Sequence, residues 1–302
     1  MLKKINFNKK TLGVLFYLIG MFLCVMLNTT MKRTINVFSL PTYEILCIRQ
    51  LAIVVFLIPL MVKHRFNFFN KKALKPNLYR NVLFSLSLGL LYVGISRVPL
   101  NDSTAISFLT PIIGSLLAVK LLGEKASKAI WIALVLSIIG MLIIKKPEFA
   151  DNNLLLGYGA LLVAVVVRGY IVVLNKKLTS KFDTMTILFY NNIILFLVSC
   201  CFFYQFKPIG FVELKWILLI GFMFFAEYWF IFKAYKYTSA VILQPLDFSR
   251  LIFMMFVSGL MMGETTTINQ VIGGLVIFSG YVVMLVFGDN KKKEIQKQNN
   301  RY

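Results

Sequence analysis

Residues 122–146, LGEKASKAIWIALVLSIIGMLIIKK, combine the features that decide the fold of this chain. An apolar run over about 127–145 follows the pair Gly123-Glu124 and ends at Lys145-Lys146. An α-helix needs about 20 mostly apolar residues to cross the hydrocarbon core of a bilayer. The stretch therefore predicts a membrane-spanning helix with a polar boundary at each end.

Nine other runs of this kind occur along the chain, and short segments that carry lysine, proline or glycine separate them. The ten predicted spans cover residues 11–31, 42–62, 78–98, 101–122, 127–145, 154–175, 184–206, 211–234, 239–262 and 267–288. None shows the period-two alternation of an outer-membrane β-barrel. The sequence therefore predicts an all-α integral membrane protein.

The overall composition agrees with a lipid environment. Of 302 residues, 59% are apolar and only 15% are charged, whereas soluble domains contain about 25% charged residues. Four cysteines lie in apolar runs without a CxxC motif, and the chain has one histidine. These features disfavour a soluble enzyme, a disulfide scaffold and a metal site, and we expect no cofactor.

The net charge of +21 comes from 33 lysines and arginines against 12 acids. If the N-terminus is cytoplasmic, 23 of the 33 lie in cytoplasmic segments, seven in external segments and three within spans; residues 63–80 hold six of the 23. This distribution predicts cytoplasmic N- and C-termini and contact with anionic lipids, rather than nucleic-acid binding. The bias towards lysine, isoleucine, asparagine and phenylalanine is typical of AT-rich bacterial genomes, so we expect a bacterial cytoplasmic (inner) membrane.

A repeat divides the chain into two halves. Gly123-Glu124 recurs as Gly263-Glu264, and Gly140 recurs as Gly280 at the same offset of 140 residues. The predicted organisation is a basic N-tail (1–10), a first repeat (11–147), a second repeat (148–288) and a basic C-tail (289–302). Because five spans are an odd number, the second repeat enters the bilayer in the opposite direction. Inverted repeats favour a transporter; duplication for packing alone is the alternative.

Two motifs carry a family resemblance. PLNDSTAISFLTP at 99–111 with Leu122-Gly-Glu124, and QPLDFSR at 244–250, resemble EamA-type permeases of the drug/metabolite transporter superfamily. The resemblance implies ten transmembrane helices in two inverted five-helix repeats around a central cavity. It also implies transport of a small organic metabolite, such as an amino acid, S-adenosylmethionine or riboflavin.

Charged residues inside the bilayer are costly and therefore mark candidate sites. Glu227 lies in the middle of span eight, where it either exchanges a proton, binds a cationic substrate group or pairs with Arg250 or Arg168. Its neighbour Tyr228 faces either the cavity or lipid. Asp247 and Arg250 share one helical face, so they pair with each other, or Arg250 holds a substrate carboxylate.

The remaining candidates are polar side chains within spans. Pro245 removes a backbone donor beside Gln244, which predicts a broken helix at 244–250. Arg49 either attracts anions near the external mouth or pairs with Glu44, and Arg168 either lines the site or extends to the cytoplasmic surface. The other hydrogen-bonding candidates are Asn28, Asn191 and Asn192, of which Asn191 and Asn192 are expected to face inward.

Three functional alternatives follow from these features. The leading one is a secondary transporter, with proton coupling and simple exchange both open, because the chain has no GxxxxGK[ST] phosphate loop for ATP. The others are a membrane-embedded lipid-modifying enzyme and a channel or scaffold. Glu124 and Glu264, which follow glycines at helix ends, are expected to cap loops or to act in gating.

Overall fold

The structure is a computed structural model of the chain. It describes residues 9–38, 42–63, 70–95, 97–98, 103, 106–144, 155–201, 209–262 and 267–287. Within these ranges all regular elements are helical. The predicted C-tail, residues 1–8 of the predicted N-tail, and Gly263-Glu264 lie outside the described residues.

Eleven helices occur in the described part of the chain. They are α1 (Lys9–Phe38), α2 (Thr42–Lys63), α3 (Lys71–Ile95), α4 (Thr110–Leu122), α5 (Lys128–Ile144), α6 (Leu155–Lys181), α7 (Thr184–Cys201), α8 (Phe211–Tyr237), α9 (Ala240–Leu246), α10 (Ser249–Met262) and α11 (Ile268–Phe287). The first eight correspond to the first eight predicted spans. Helices α9 and α10 are two parts of the ninth span, and α11 is the tenth.

Several of these helices are suited to a bilayer. Five segments are long and apolar enough to cross a membrane, namely Lys9–Ile35, Leu155–Lys181, Thr184–Cys201, Phe211–Tyr237 and Ala240–Val257. Large apolar side chains such as Phe222, Phe256 and Leu275 are more than 60% exposed on the outside of the bundle. An exterior of this kind is matched by lipid rather than by water.

The packing of the helices follows the predicted repeat. Exchange of the two halves maps span 1 onto span 6, span 2 onto span 7 and span 3 onto span 8. The contact of span 1 with span 8 then corresponds to the contact of span 6 with span 3. Likewise, the contact of span 2 with span 8 corresponds to that of span 7 with span 3. Span 5 packs on span 10, span 2 on span 7 and span 4 on span 9, so these pairs map onto themselves when the halves are exchanged. The bundle thus consists of two five-helix repeats related by a pseudo-twofold axis.

The third helix begins earlier than the third predicted span. Span three was expected to begin at residue 78, but α3 begins at Lys71 and contains Arg80. Ala73, Asn77 and Arg80 are buried, while Lys72 and Lys75 are exposed. An amphipathic helix therefore continues through the basic segment. Arg80 therefore belongs to the interior of the bundle and not to a cytoplasmic loop.

The α5–α11 contact depends on glycine. Gly140 and Gly273 face each other, and a Cβ atom built on either residue would lie 2.5 Å from the carbonyl oxygen of the other. No side-chain movement relieves a contact with backbone. The two repeats approach each other closely here because both positions lack a side chain.

We predict that Gly140→Ala destabilises the bundle by about 1–3 kcal/mol, as overpacking does in tightly packed interiors. The thermal unfolding midpoint of detergent-purified protein measures the effect. Gly89→Ala on α3 is the matched control, because a Cβ atom there meets no atom within 4 Å. Equal midpoints for the two variants would contradict the close approach of α5 and α11.

Candidate functional site

The ninth span is interrupted at the level of the candidate charges. Helix α9 ends at Leu246 and α10 begins at Ser249, as the proline in QPLDFSR predicts. Short-range bonds bridge the gap: the Asp247 N–H donates to the Gln244 carbonyl at 3.0 Å, and the Phe248 N–H to the Pro245 carbonyl at 3.3 Å. The interruption gives the chain a polar turn inside the bundle.

The acid at this turn is held from two sides. Arg250 forms an ion pair with the Asp247 carboxylate, and its Nε also donates to the Asp247 carbonyl at 3.2 Å. The Tyr17 hydroxyl of α1 donates to Asp247 Oδ1 at 3.1 Å. Of the two sequence alternatives for Arg250, the structure has the pair with Asp247, and the bond from Tyr17 connects the first repeat to the second.

Glu227 lies on α8 and faces α1. Its side chain is buried, and the Cys24 thiol lies within hydrogen-bonding reach of its carboxylate. Asn28, one helical turn beyond Cys24, donates to the Cys24 carbonyl at 2.8 Å and is itself exposed. The charges of Arg49, Asp247 and Arg250 also act on Glu227.

The first repeat contributes one face of α1 to this site. Tyr17, Cys24 and Asn28 recur at helical spacing along that face. Of the three, only Asn28 was predicted from the sequence, although their shared helical face is a signal that could have indicated the other two. We refer to Glu227, Asp247, Arg250, Tyr17 and Cys24 as the central cluster.

Four other predicted site residues lie outside the central cluster. Gln244 is buried in α9 and its Nε2 donates to the Tyr235 hydroxyl at 3.3 Å. Arg49 is buried on α2 with its guanidinium carbon 4.1 Å from the centre of the Phe224 ring. Asn192 is buried and donates to the Leu188 carbonyl.

Arg168, the fourth of these, is half-buried on α6. It lies 13 residues before the end of α6 at Lys181, which is about 20 Å at 1.5 Å per residue. It stays a prediction that the Arg168 side chain lines the site or extends to the cytoplasmic surface.

A second group of buried polar residues surrounds Arg80, which the sequence did not single out. Asn191 of α7, a predicted candidate, accepts a hydrogen bond from Arg80. The ring of Tyr228, another candidate, has its centre 5.8 Å from the guanidinium carbon. Tyr228 therefore faces a neighbouring helix and not lipid.

One end of the bundle, where α1 starts, is fastened by bonds between the two repeats and by bonds within the second repeat. The Glu124 carboxylate accepts from the N–H groups of Ala240 at 3.0 Å and Val241 at 2.9 Å. The Lys176 ammonium donates to the carbonyls of Tyr235 at 2.6 Å and Thr238 at 2.7 Å. Glu124 thus caps α9, which is one of the two roles expected from its position after Gly123.

Both repeats match one protein family. The EamA-like transporter family matches residues 11–145 and 155–286, which correspond to the two five-helix halves of the fold. The chain belongs to the EamA-like transporter family. As a member it is a multi-pass membrane transporter with two inverted five-helix repeats, and the lipid-modifying enzyme is excluded.

Similar proteins include two bacterial transporters. The S-adenosylmethionine uptake transporter of Rickettsia prowazekii (strain Madrid E) is 23% identical over 286 residues, which cover 92% of this chain and 94% of the relative. The pseudopaline exporter CntI of Pseudomonas aeruginosa (strain UCBPP-PA14) is 24% identical over 267 residues, 88% of this chain and 93% of the relative. A solved crystal structure shares the fold, with a TM-score of 0.75 and 12% identity over 92% of this chain and 96% of that one.

We predict that Glu124→Gln loosens the start of α9 in this EamA-like transporter. A glutamine has one acceptor oxygen for two N–H groups, so one of them loses its partner, at a cost of about 1–2 kcal/mol. Faster amide hydrogen exchange over residues 240–243 measures the change. Lys125→Gln, at the exposed neighbouring position, serves as the control; unchanged exchange in Glu124→Gln would contradict the capping role.

Proposed function

We propose that this EamA-like transporter moves a small organic metabolite across the bacterial cytoplasmic membrane by alternating access through the central cluster. The two termini lie in the cytoplasm, so the hydrogen bonds between Glu124 and the start of α9 are on the cytoplasmic side. The distribution of basic residues supports this orientation.

One observation carries the proposal: a buried acid lies between the two repeats. Glu227 belongs to the second repeat, whereas Cys24 beside it belongs to the first. Inverted repeats that rock against each other expose such a midway site first to one side and then to the other. The polar face of α1 then separates from or closes on α8 during each cycle.

The chemistry of the central cluster supports a substrate with a cationic group. Asp247 is already paired with Arg250, whereas Glu227 has the Cys24 thiol within hydrogen-bonding reach. A carboxylate in a desolvated site attracts an ammonium or sulfonium group, or alternatively binds a proton. S-adenosylmethionine carries such a cationic centre, and the Rickettsia relative is named as an uptake transporter for it. It is therefore the first substrate to test.

The transport test uses purified protein in proteoliposomes with a metabolite panel that includes S-adenosylmethionine, amino acids and riboflavin. The proposal predicts saturable uptake that is accelerated by the same solute inside the vesicle, because an alternating-access carrier exchanges its substrate. Voltage-driven unitary currents without saturable flux would contradict it.

Glu227→Gln tests the role of the acid in the same vesicles. If Glu227 carries a proton, a pH gradient drives uptake by the wild type, and the variant loses this dependence while it retains exchange of solute. Glu213→Gln, in the first turn of the same helix, is the matched control. It keeps both the dependence of uptake on the pH gradient and the exchange of solute. A Glu227→Gln variant with the pH dependence of the wild type would contradict the coupling role.

A further inference from the structure

Arg80 is a cation in the interior of the bundle. Its side chain is almost fully buried and lies among α3, α6, α7 and α8. The Nε group donates to Asn175 Oδ1 at 3.0 Å, and Nη1 donates to Asn81 Oδ1 at 2.7 Å and to Asn191 Oδ1. We call Arg80 and these three asparagines the arginine–amide cluster.

The cluster leaves the positive charge uncancelled. In the described part of the chain the guanidinium donates to three neutral amide oxygens, and the neutral Tyr228 side chain also lies within hydrogen-bonding reach. Aromatic rings complete the surroundings, with the centres of Phe84, Tyr228 and Phe232 between 5.2 and 5.8 Å from the guanidinium carbon. Amides and rings stabilise a cation without giving it a fixed counter-ion.

A purely structural role does not require a charge here. Well-packed apolar residues of similar volume are often as stabilising as buried ionic groups, because desolvation of the charge is avoided. A desolvated cation held by neutral groups is instead suited to an anion that comes and goes. The amide donor Asn191 Nδ2 supports this reading, because it is buried and has no hydrogen-bond partner in the described residues.

Tyr228 connects the arginine–amide cluster to the helix that carries Glu227. Tyr228 contacts Arg80 with its ring and follows Glu227 in the sequence. Arg80 is nine residues from the start of α3, and Tyr228 is nine residues from the end of α8. Both therefore lie about 14 Å from the same end of the bundle at 1.5 Å per residue.

We propose that the arginine–amide cluster is a second substrate subsite, which binds a carboxylate of the transported metabolite. The guanidinium and Asn191 Nδ2 both donate to the carboxylate, while Glu227 faces the cationic group. The inference rests on the proposed transport function and narrows its substrate class to metabolites that carry a cationic group and a carboxylate.

The test compares matched solutes that differ only in the carboxylate. The pairs are S-adenosylmethionine with its decarboxylated form, L-arginine with agmatine and L-lysine with cadaverine, measured as uptake into proteoliposomes. The wild type favours the carboxylate member of a transported pair by about tenfold, the effect of one charge-assisted hydrogen bond. In Arg80→Met this ratio falls to about one, while uptake of the amine member remains.

Asn191→Asp separates a binding role from a structural one. The aspartate has the shape of asparagine and places a fixed carboxylate on the guanidinium, so it competes with the substrate's carboxylate. We expect the ratio to fall as in Arg80→Met, although the arginine and its packing are retained. Arg97→Met, at an exposed arginine, is the control and leaves the ratio unchanged.

The outcomes distinguish the inference from the proposed function. If the wild type transports a pair and Arg80→Met and Asn191→Asp keep the wild-type ratio of carboxylate to amine uptake, the carboxylate subsite alone is overturned. The same holds if the variants lose uptake of both members of a pair equally. A wild-type ratio of carboxylate to amine uptake that is near one and changes with external chloride also overturns the inference. The cluster would then bind an inorganic anion rather than a substrate carboxylate. Absence of wild-type flux for all the pairs and for the metabolite panel overturns both proposals.

Discussion

Hydrocarbon offers no hydrogen-bond partners, so each polar group that the chain places in the bilayer must find its partner within the bundle. The interrupted ninth span illustrates how this constraint shapes the fold. Pro245 weakens the backbone ladder, and the interrupted span is stabilised by side chains: Glu124 of the loop after α4 caps α9, and Tyr17 of α1 and Arg250 of α10 hold Asp247. The contacts of Glu124 and Tyr17 connect the two repeats where the chain departs from a regular helix.

The same constraint links the fold to the proposed transport cycle. A polar site that belongs to one repeat alone would stay intact as the halves move, whereas the central cluster combines Tyr17 and Cys24 of the first repeat with Glu227 and Asp247 of the second. A rocking motion therefore changes its hydrogen bonds and its access to water. The close approach of Gly140 and Gly273 supplies a tight contact between the two moving units.

The sequence predicted the features that depend on local pattern. Apolar runs identified the ten spans, and Pro245 identified the break near Asp247. It missed contacts that depend on tertiary packing: Tyr17 meets Asp247 across 230 residues, and no local signal indicates such a pair. Arg80 was missed for another reason, since its basic neighbours suggested a loop, although the spacing of Ala73, Asn77 and Arg80 already described a buried helical face.

The opposite orientation of the repeats is the central claim, and cysteine accessibility tests it most directly. Lys125→Cys and Thr267→Cys are placed singly, at exposed positions, in a variant without Cys24, Cys47, Cys200 and Cys201, and treated with a membrane-impermeant maleimide. The account predicts that position 267 is labelled in intact cells and position 125 only after permeabilisation. Labelling of both positions from the same side would contradict it.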